Sequence, residues 1–259
     1  MNKKNDRKWW ILYIMLVAVS VVSFVSGCEK KKTDTSVRVA VIDTGISTKA
    51  IPEEHIAEGK NYVNPEQSTE DTYGHGTAVA SIILNGVPDV QLVPLVSNVY
   101  EGGKIKQVEN DTLAEMIRDA VDIYRCEIIN LSAGLILDKE SVRQAVEYAW
   151  EQDVLVIASA GNDYAENGAV RYYPAAYESV LAVGALNADG TDIAAFSQRG
   201  EWVDTYAIGE NVKIKTLSGN TRTGEGTSYS AAEVTTEAVR LMEEEPGITV
   251  DELKELLCD

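Results

Sequence analysis

The chain has 259 residues, 45% of them hydrophobic, enough for one substantial core. Its formal net charge of −18 excludes the basic footprint of a nucleic-acid binder, and three cysteines beside two histidines make no metal-ligand pattern. No nucleic-acid partner, metal or cofactor is therefore expected.

The first predicted element lies outside the fold. Lys3, Lys4, Arg7 and Lys8 precede an apolar run from Trp9 to Cys28, the layout of a secretory signal. The segment VSGC, Val25–Cys28, resembles a bacterial lipobox, in which small residues precede a cysteine that receives lipid. The alternative is an uncleaved transmembrane anchor, because the run is near the lower length limit for spanning. Both place the rest of the chain outside the cytoplasm, at a bacterial cell membrane. Residues 1–27 are thus expected to be a lipoprotein-type signal peptide, with Cys28 as the lipidation site. Their loss would remove a net +3 and leave about −21. Residues 28–36 read as a polar tether, and residues 37–259 as one domain without internal repeats.

Within that domain, VRVAVID (Val37–Asp43) is a short apolar run ending in an acid, the pattern of a buried strand. YGHGTAVASIIL opens a helix at a Gly-flanked His75, with Val79, Ile82 and Ile83 on its apolar face. Asp111–Tyr124 places Leu113, Met116, Ile117, Ala120, Val121 and Tyr124 on one helical face. EIINLSAG follows as strand and turn. Ser141–Trp150 is helical, with Val142, Ala145, Val146, Ala149 and Trp150 aligned. VLVIASAGN and SVLAVGAL are further buried strands, and MEEEPGITVDELKELL is a helix end, a Pro-Gly turn and a closing helix. Strands alternating with amphipathic helices predict an α/β fold, a three-layer αβα arrangement with a mostly parallel central sheet. Cys126 precedes a strand and is expected to be buried; the alternative is a disulfide with Cys258. His55 sits among acids outside any motif and reads as a surface residue.

In such sheets chemistry gathers beyond the carboxyl ends of the strands. Asp43 ends one strand, Asn130 and Ser132 another, and Asn162 a third. His75 opens a helix, and Ser228, in GEGTSYSAA, stands at the start of another. Each alone has a plainer role: a strand-end cap, a helix-start histidine, a turn asparagine, an N-cap serine. Together they supply the groups for acyl transfer. A serine hydroxyl needs a base, histidine can be that base, and a carboxylate orients it. The Asn162 side chain and the Ser228 backbone N–H can stabilise the oxyanion.

Here the sequence resembles the subtilases, the subtilisin-like serine proteases. VIDTGI looks like their catalytic Asp segment, GHGTAVA their His segment, SAGN their oxyanion Asn segment and GTSYSAA their Ser segment, in that order over about Val37 to the end. The resemblance implies a subtilisin-like fold and a serine endopeptidase acting on peptides or proteins, with Asp43, His75 and Ser228 catalytic and Asn162 at the oxyanion. It further implies that Ser132, Ala133 and Gly134 pair with the substrate backbone. Ala160 and Gly161 then wall the pocket for the residue before the scissile bond. Tyr172 lies near its floor and makes it shallow, favouring small or mid-sized side chains. EGG, Glu101–Gly103, is expected to form the opposite edge of the cleft.

Several positions depart from the family pattern. Ala78 stands where relatives usually carry a second histidine, and Ala232 where they carry proline. Glu233, Thr235, Thr236 and Glu237 replace mostly small apolar residues and predict a wetter outer face for the last long helix. The short loop after the His helix offers no calcium site. No pro-domain of the usual size fits between Cys28 and Val37, so folding is expected without one or with help in trans. Two alternative functions follow: a catalytically weak or inactive peptide-binding relative, and a dedicated protease that removes the leader of an exported peptide.

Overall fold

The computed structural model describes residues 36–258. The predicted signal, the Cys28 lipidation site and most of the tether lie outside the described residues. Among the described residues no helix is long and apolar enough to cross a membrane.

In chain order the elements are β1 (Arg38–Asp43), a 3-10 turn (Glu53–His55), β2 (Lys60–Asn61), α1 (His75–Gly86), β3 (Gln91–Val96), β4 (Asn98–Glu101), β5 (Lys104–Gln107) and α2 (Asn110–Asp122). Then come β6 (Ile128–Leu131), α3 (Glu140–Glu151), β7 (Leu155–Ser159), α4 (Tyr164–Asn167), β8 (Val180–Leu186), β9 (Thr205–Ile208), β10 (Val212–Lys215), β11 (Thr221–Gly224), α5 (Thr227–Glu244) and α6 (Val250–Cys258). Seven strands form one sheet in the order β2-β3-β1-β6-β7-β8-β9, and every pairing in it is parallel. β4–β5 and β10–β11 are separate antiparallel hairpins.

The period of two along each strand divides the core. Val39 and Val41 of β1, Ile128 of β6, and Leu155 and Ile157 of β7 face one side, where α1, α5 and α6 pack. Ala40 and Ile42, Ile129 and Leu131, and Val156 and Ala158 face the other, against α2 and α3. Burial on both faces is why these strands read as continuous apolar runs rather than alternating ones. Trp150, aligned with the α3 stripe in sequence, is half-buried and packs toward the α1/α5 side instead. His55 is half-buried in its 3-10 turn rather than fully exposed. Cys126 is a buried free thiol that does not bridge to the exposed Cys258, and burial pushes its pKa up to about 12.

This topology positions the site. From β1 the chain builds outward to β3 and β2, then returns to place β6 on the other side of β1. The carboxyl ends of β1 and β6 therefore flank a switch point, where α/β sheets open a crevice. Asp43 closes β1, and Ser132 directly follows β6.

The expectation of a wet outer face on α5 holds for Glu233 and Glu237, which are exposed, and fails for the threonines. Thr235 and Thr236 are fully buried. They are tolerated there because each hydroxyl has an acceptor: Thr235 donates to Asn130 Oδ1 at 3.2 Å, and Thr236 to the Ala232 carbonyl at 2.9 Å. Thr235→Val keeps the shape and strands the Asn130 oxygen, on a residue only 1% exposed. In urea unfolding it is expected to cost about 1–3 kcal/mol. Glu237→Ala, on the solvated face, is expected to stay within about 0.5 kcal/mol of wild type.

Candidate active site

Asp43 is 4% exposed, and a buried carboxylate must find donors. Its Oδ1 accepts the Thr44 N–H at 2.7 Å, and both its oxygens lie 2.8 Å from His75 Nδ1. A carboxylate only accepts, so Nδ1 carries the proton and Nε2 is left as the basic nitrogen. Burial is the largest single influence on the His75 pKa and pulls it down. The charge and hydrogen bond of Asp43, followed by the charge of Asp71, outweigh it and leave the pKa raised.

The approach of His75 to the end of β1 depends on the turn before α1. Gly74, the N-cap, has φ 104°, a conformation that favours glycine. A Cβ on Gly76 would lie 2.3 Å from the Gly45 carbonyl oxygen, so only glycine lets the first turn of α1 settle against β1. The Gly76 N–H donates to Thr44 Oγ1 at 2.9 Å. Asp71 locks the same turn. Its buried carboxylate accepts the N–H groups of Tyr73 and Gly74 at 2.8 Å each, the Thr77 N–H at 2.9 Å and the Thr77 hydroxyl at 2.6 Å.

Ser228 is the second residue of α5. The N-cap of that helix is Gly226, so Ser228 is not its capping side chain. The cap comes from far away in sequence: Asn162 Oδ1 accepts both the Thr227 N–H and the Thr227 hydroxyl at 2.8 Å. Thr227 Oγ1 in turn accepts the Gly161 N–H at 3.2 Å. These two bonds orient the Asn162 amide, because a backbone N–H can only donate. Its Nδ2 points away with no acceptor among the described residues. The Ser228 backbone N–H belongs to the first helical turn, where no intrahelical acceptor exists. His75 is hydrogen-bonded through Nδ1 alone. Among the described residues no hydrogen bond joins the Ser228 hydroxyl to Nε2.

The substrate-cleft residues fall as follows. β6 pairing ends at Leu131, and Ser132, Ala133 and Gly134 run on beyond the sheet. Ser132 Oγ accepts the Asn130 side-chain N–H at 3.3 Å. Ala160 is buried and donates its N–H to the Val183 carbonyl at 2.9 Å. The Tyr172 ring packs close to both Gly134 and Gly161. A Cβ on Gly134 would sit 3.2 Å from its Cδ1, and one on Gly161 2.7 Å from its Cδ2. The phenol donates to Asp163 Oδ2 at 2.5 Å, and that bond is the main reason its pKa is pushed up to about 12. The EGG segment is the tip of the β4–β5 hairpin, with Gly102 and Gly103 at positive φ, and Val99 and Ile105 of that hairpin line the cleft beside His75. A cleft of about 180 Å³ lies beside His75, lined among others by Asp43, Tyr73, Val99, Ile105 and Ser132.

Sequence reasoning missed Asp71 and Tyr229. Asp71 had a signal, since DTYGHG places a carboxylate one turn ahead of a glycine-opened helix. Tyr229 had none: its ring stacks on that of His75, a contact between residues far apart in the chain. No group of three or more His, Cys, Asp or Glu among the described residues is arranged to hold a metal ion.

The model of the subtilase family matches residues 34–259. The Minor extracellular protease Epr of Bacillus subtilis is 34% identical over 86% of this chain, and the match spans 34% of that protein. Subtilisin BL of Lederbergia lenta is 34% identical over 83% of the chain and 79% of its own length. Among solved structures, the S41 psychrophilic protease superposes with a TM-score of 0.73 at 26% identity, covering 86% of this chain and 82% of that one. The chain thus spans about a third of the Bacillus subtilis protein it matches.

The Asp71 lock can be tested apart from any chemistry. Asp71→Ala leaves the buried Thr77 N–H and hydroxyl without this acceptor and is expected to cost about 3 kcal/mol in urea unfolding, the scale of two such donors. A cost below about 0.5 kcal/mol would show that the turn holds without the carboxylate.

Proposed function

The chain belongs to the subtilase family, and from that premise we propose that it is a serine endopeptidase using Asp43, His75 and Ser228. The observation that carries this reading is the contact of His75 Nδ1 with both Asp43 oxygens at 2.8 Å, which leaves Nε2 as a base. Ser228 Oγ attacks the carbonyl carbon of the scissile peptide bond while its proton passes to Nε2. Asp43 holds the tautomer and balances the imidazolium. The oxyanion of the tetrahedral intermediate accepts hydrogen bonds from Asn162 Nδ2 and the Ser228 N–H. As the intermediate collapses, the leaving amine takes the proton from His75 and an acyl-enzyme remains. Water, deprotonated by His75, then releases it and restores the serine.

Ser132, Ala133 and Gly134 are proposed to pair with the substrate backbone, with Ala160 and Gly161 walling the pocket before the scissile bond. Residues 37–259 are the peptidase domain in this reading. Residues 1–27 are its lipoprotein-type signal, and residues 28–36 tether it from a lipidated Cys28 at the outer face of a bacterial membrane. The peptide-binding, inactive alternative draws on one observation, the absent hydrogen bond between Ser228 and His75. A narrow leader-processing role draws on another, the Tyr172 ring standing between Gly134 and Gly161.

Labelling of the full chain with a fluorophosphonate tests the reading. Covalent modification of wild type that disappears in Ser228→Ala and His75→Ala supports an activated serine. A folded wild type that stays unlabelled would move the peptide-binding alternative to the front. Cleavage profiling tests Tyr172. Wild type is expected to cut after Gly, Ala or Ser, and Tyr172→Ala to gain about tenfold or more on large side chains there, the scale of filling an apolar pocket. A wild-type preference for large aromatics would overturn the role given to Tyr172.

A further inference from the structure

We propose that Tyr229 is a positioning residue for the proton transfer: its ring backs the His75 imidazole and steadies the imidazolium formed when Ser228 gives up its proton. The inference rests on the assignment of Asp43, His75 and Ser228 made above. It concerns a residue outside that triad.

The two ring centroids are 5.9 Å apart, with planes inclined by 25°, a near-parallel arrangement within the range where aromatic pairs attract. Tyr229 follows Ser228 directly in the first turn of α5, so one helix start delivers both the serine and the ring. The ring is gripped from behind. Tyr229 is only 6% exposed, and β11 passes so close that a Cβ on Gly224 would lie 2.7 Å from its Cε2 and 3.3 Å from its Cζ. Any side chain at position 224 would displace the ring, and glycine there lets the β10–β11 hairpin press it in place.

His75 needs such a backing. Asp43 holds it by one edge, at Nδ1, and an imidazole held by one edge can still tilt about that bond. A fixed surface along its face removes the tilt and holds Nε2 steady for the proton transfer. The face also carries the negative side of the ring quadrupole, which attracts a cation within about 6 Å, so the contact favours the imidazolium over the neutral ring. The charged and titratable groups around the pair come from several elements. Asp43 on β1 and Asp71 before α1 act on His75. Arg222 on β11, Asp43 and Tyr73 act on Tyr229, whose own phenol is raised chiefly by burial and stays neutral while His75 titrates.

The test is the pH profile of peptide hydrolysis by the full chain, across roughly pH 5–10, for wild type, Tyr229→Phe and Tyr229→Leu. A base must be deprotonated to act, so activity is lost as pH falls through the His75 pKa. In wild type that acid limb is expected above the ordinary histidine value of about 6.5. Tyr229→Phe keeps the face and is expected to keep both kcat and the limb. Tyr229→Leu is expected to lower kcat about two- to thirtyfold, the range spanned by cation–aromatic contacts, with KM nearly unchanged. Its limb is expected at lower pH, because the imidazolium has lost its support. Tyr229→Met, which keeps volume without a ring, should behave as Tyr229→Leu does and replaces it if the leucine variant fails to fold. An unmoved limb and unchanged kcat in a folded ringless variant would overturn the proposal, as would Tyr229→Phe losing as much as Tyr229→Leu. A folded wild type that does not label with fluorophosphonate would instead sink the triad on which it rests.

Discussion

Everything at this site depends on keeping one carboxylate charged at the end of a buried strand. Asp43 is 4% exposed, and an isolated charge there would be too costly to persist. The Thr44 N–H and His75 Nδ1 supply the compensation, so the first turn of α1 must come against the end of β1. That approach explains a glycine at position 76 and a locked turn around Asp71. The same pairing sets a tension between fold and chemistry. His75 has a raised pKa when folded, so its contribution to stability is fully present below the unfolded value of about 6.5. That contribution is lost as pH rises through the folded value. The basic His75 that proton transfer requires therefore exists only where the residue no longer adds this stabilisation.

The second half of the site is organised by an amide with two different ends. Gly226 cannot cap α5 with a side chain, and Asn162 does so across 65 residues of sequence. Its oxygen is committed to Thr227, by backbone N–H and by hydroxyl. Commitment of the oxygen leaves the NH₂ end oriented, without an acceptor among the described residues. A donor fixed in this way needs no reorganisation when negative charge develops before it, which is the property an oxyanion site requires. The helix start that displays Ser228 is thus held by the same side chain that the proposed function assigns to the oxyanion.

The elements of the parallel sheet and its covering helices were legible in sequence, because strands buried on both faces and helices with one apolar stripe leave strong periodic signals. The motif residues were legible as well, since Asp43, Asn162, His75 and Ser228 sit at strand ends and helix starts. What escaped depends on contacts between distant positions. Thr235 looked like a solvated residue because its acceptor, Asn130, is 105 residues away. Tyr229 looked like any helix residue because His75 and Gly224 meet it only in three dimensions.

Tyr172 shows how closely selectivity and chemistry are joined in this fold. Its hydroxyl donates to Asp163, which also accepts from Gln198 at 2.8 Å and from Asn167 at 2.7 Å. Burial alone would raise the Asp163 pKa, but these donors together hold it below the usual value, so the latch is charged at neutral pH. Asp163 directly follows Asn162, and Gly161, just before it, touches the Tyr172 ring. One three-residue turn after β7 therefore carries a glycine that leaves room for the Tyr172 ring, the amide that caps α5 and the carboxylate that anchors Tyr172. A side chain that forced Tyr172 aside would pull on Asp163 and, through it, on Asn162. On the proposed reading, large residues at that subsite would be disfavoured twice, once by the filled space and once by displacement of the donor assigned to the oxyanion.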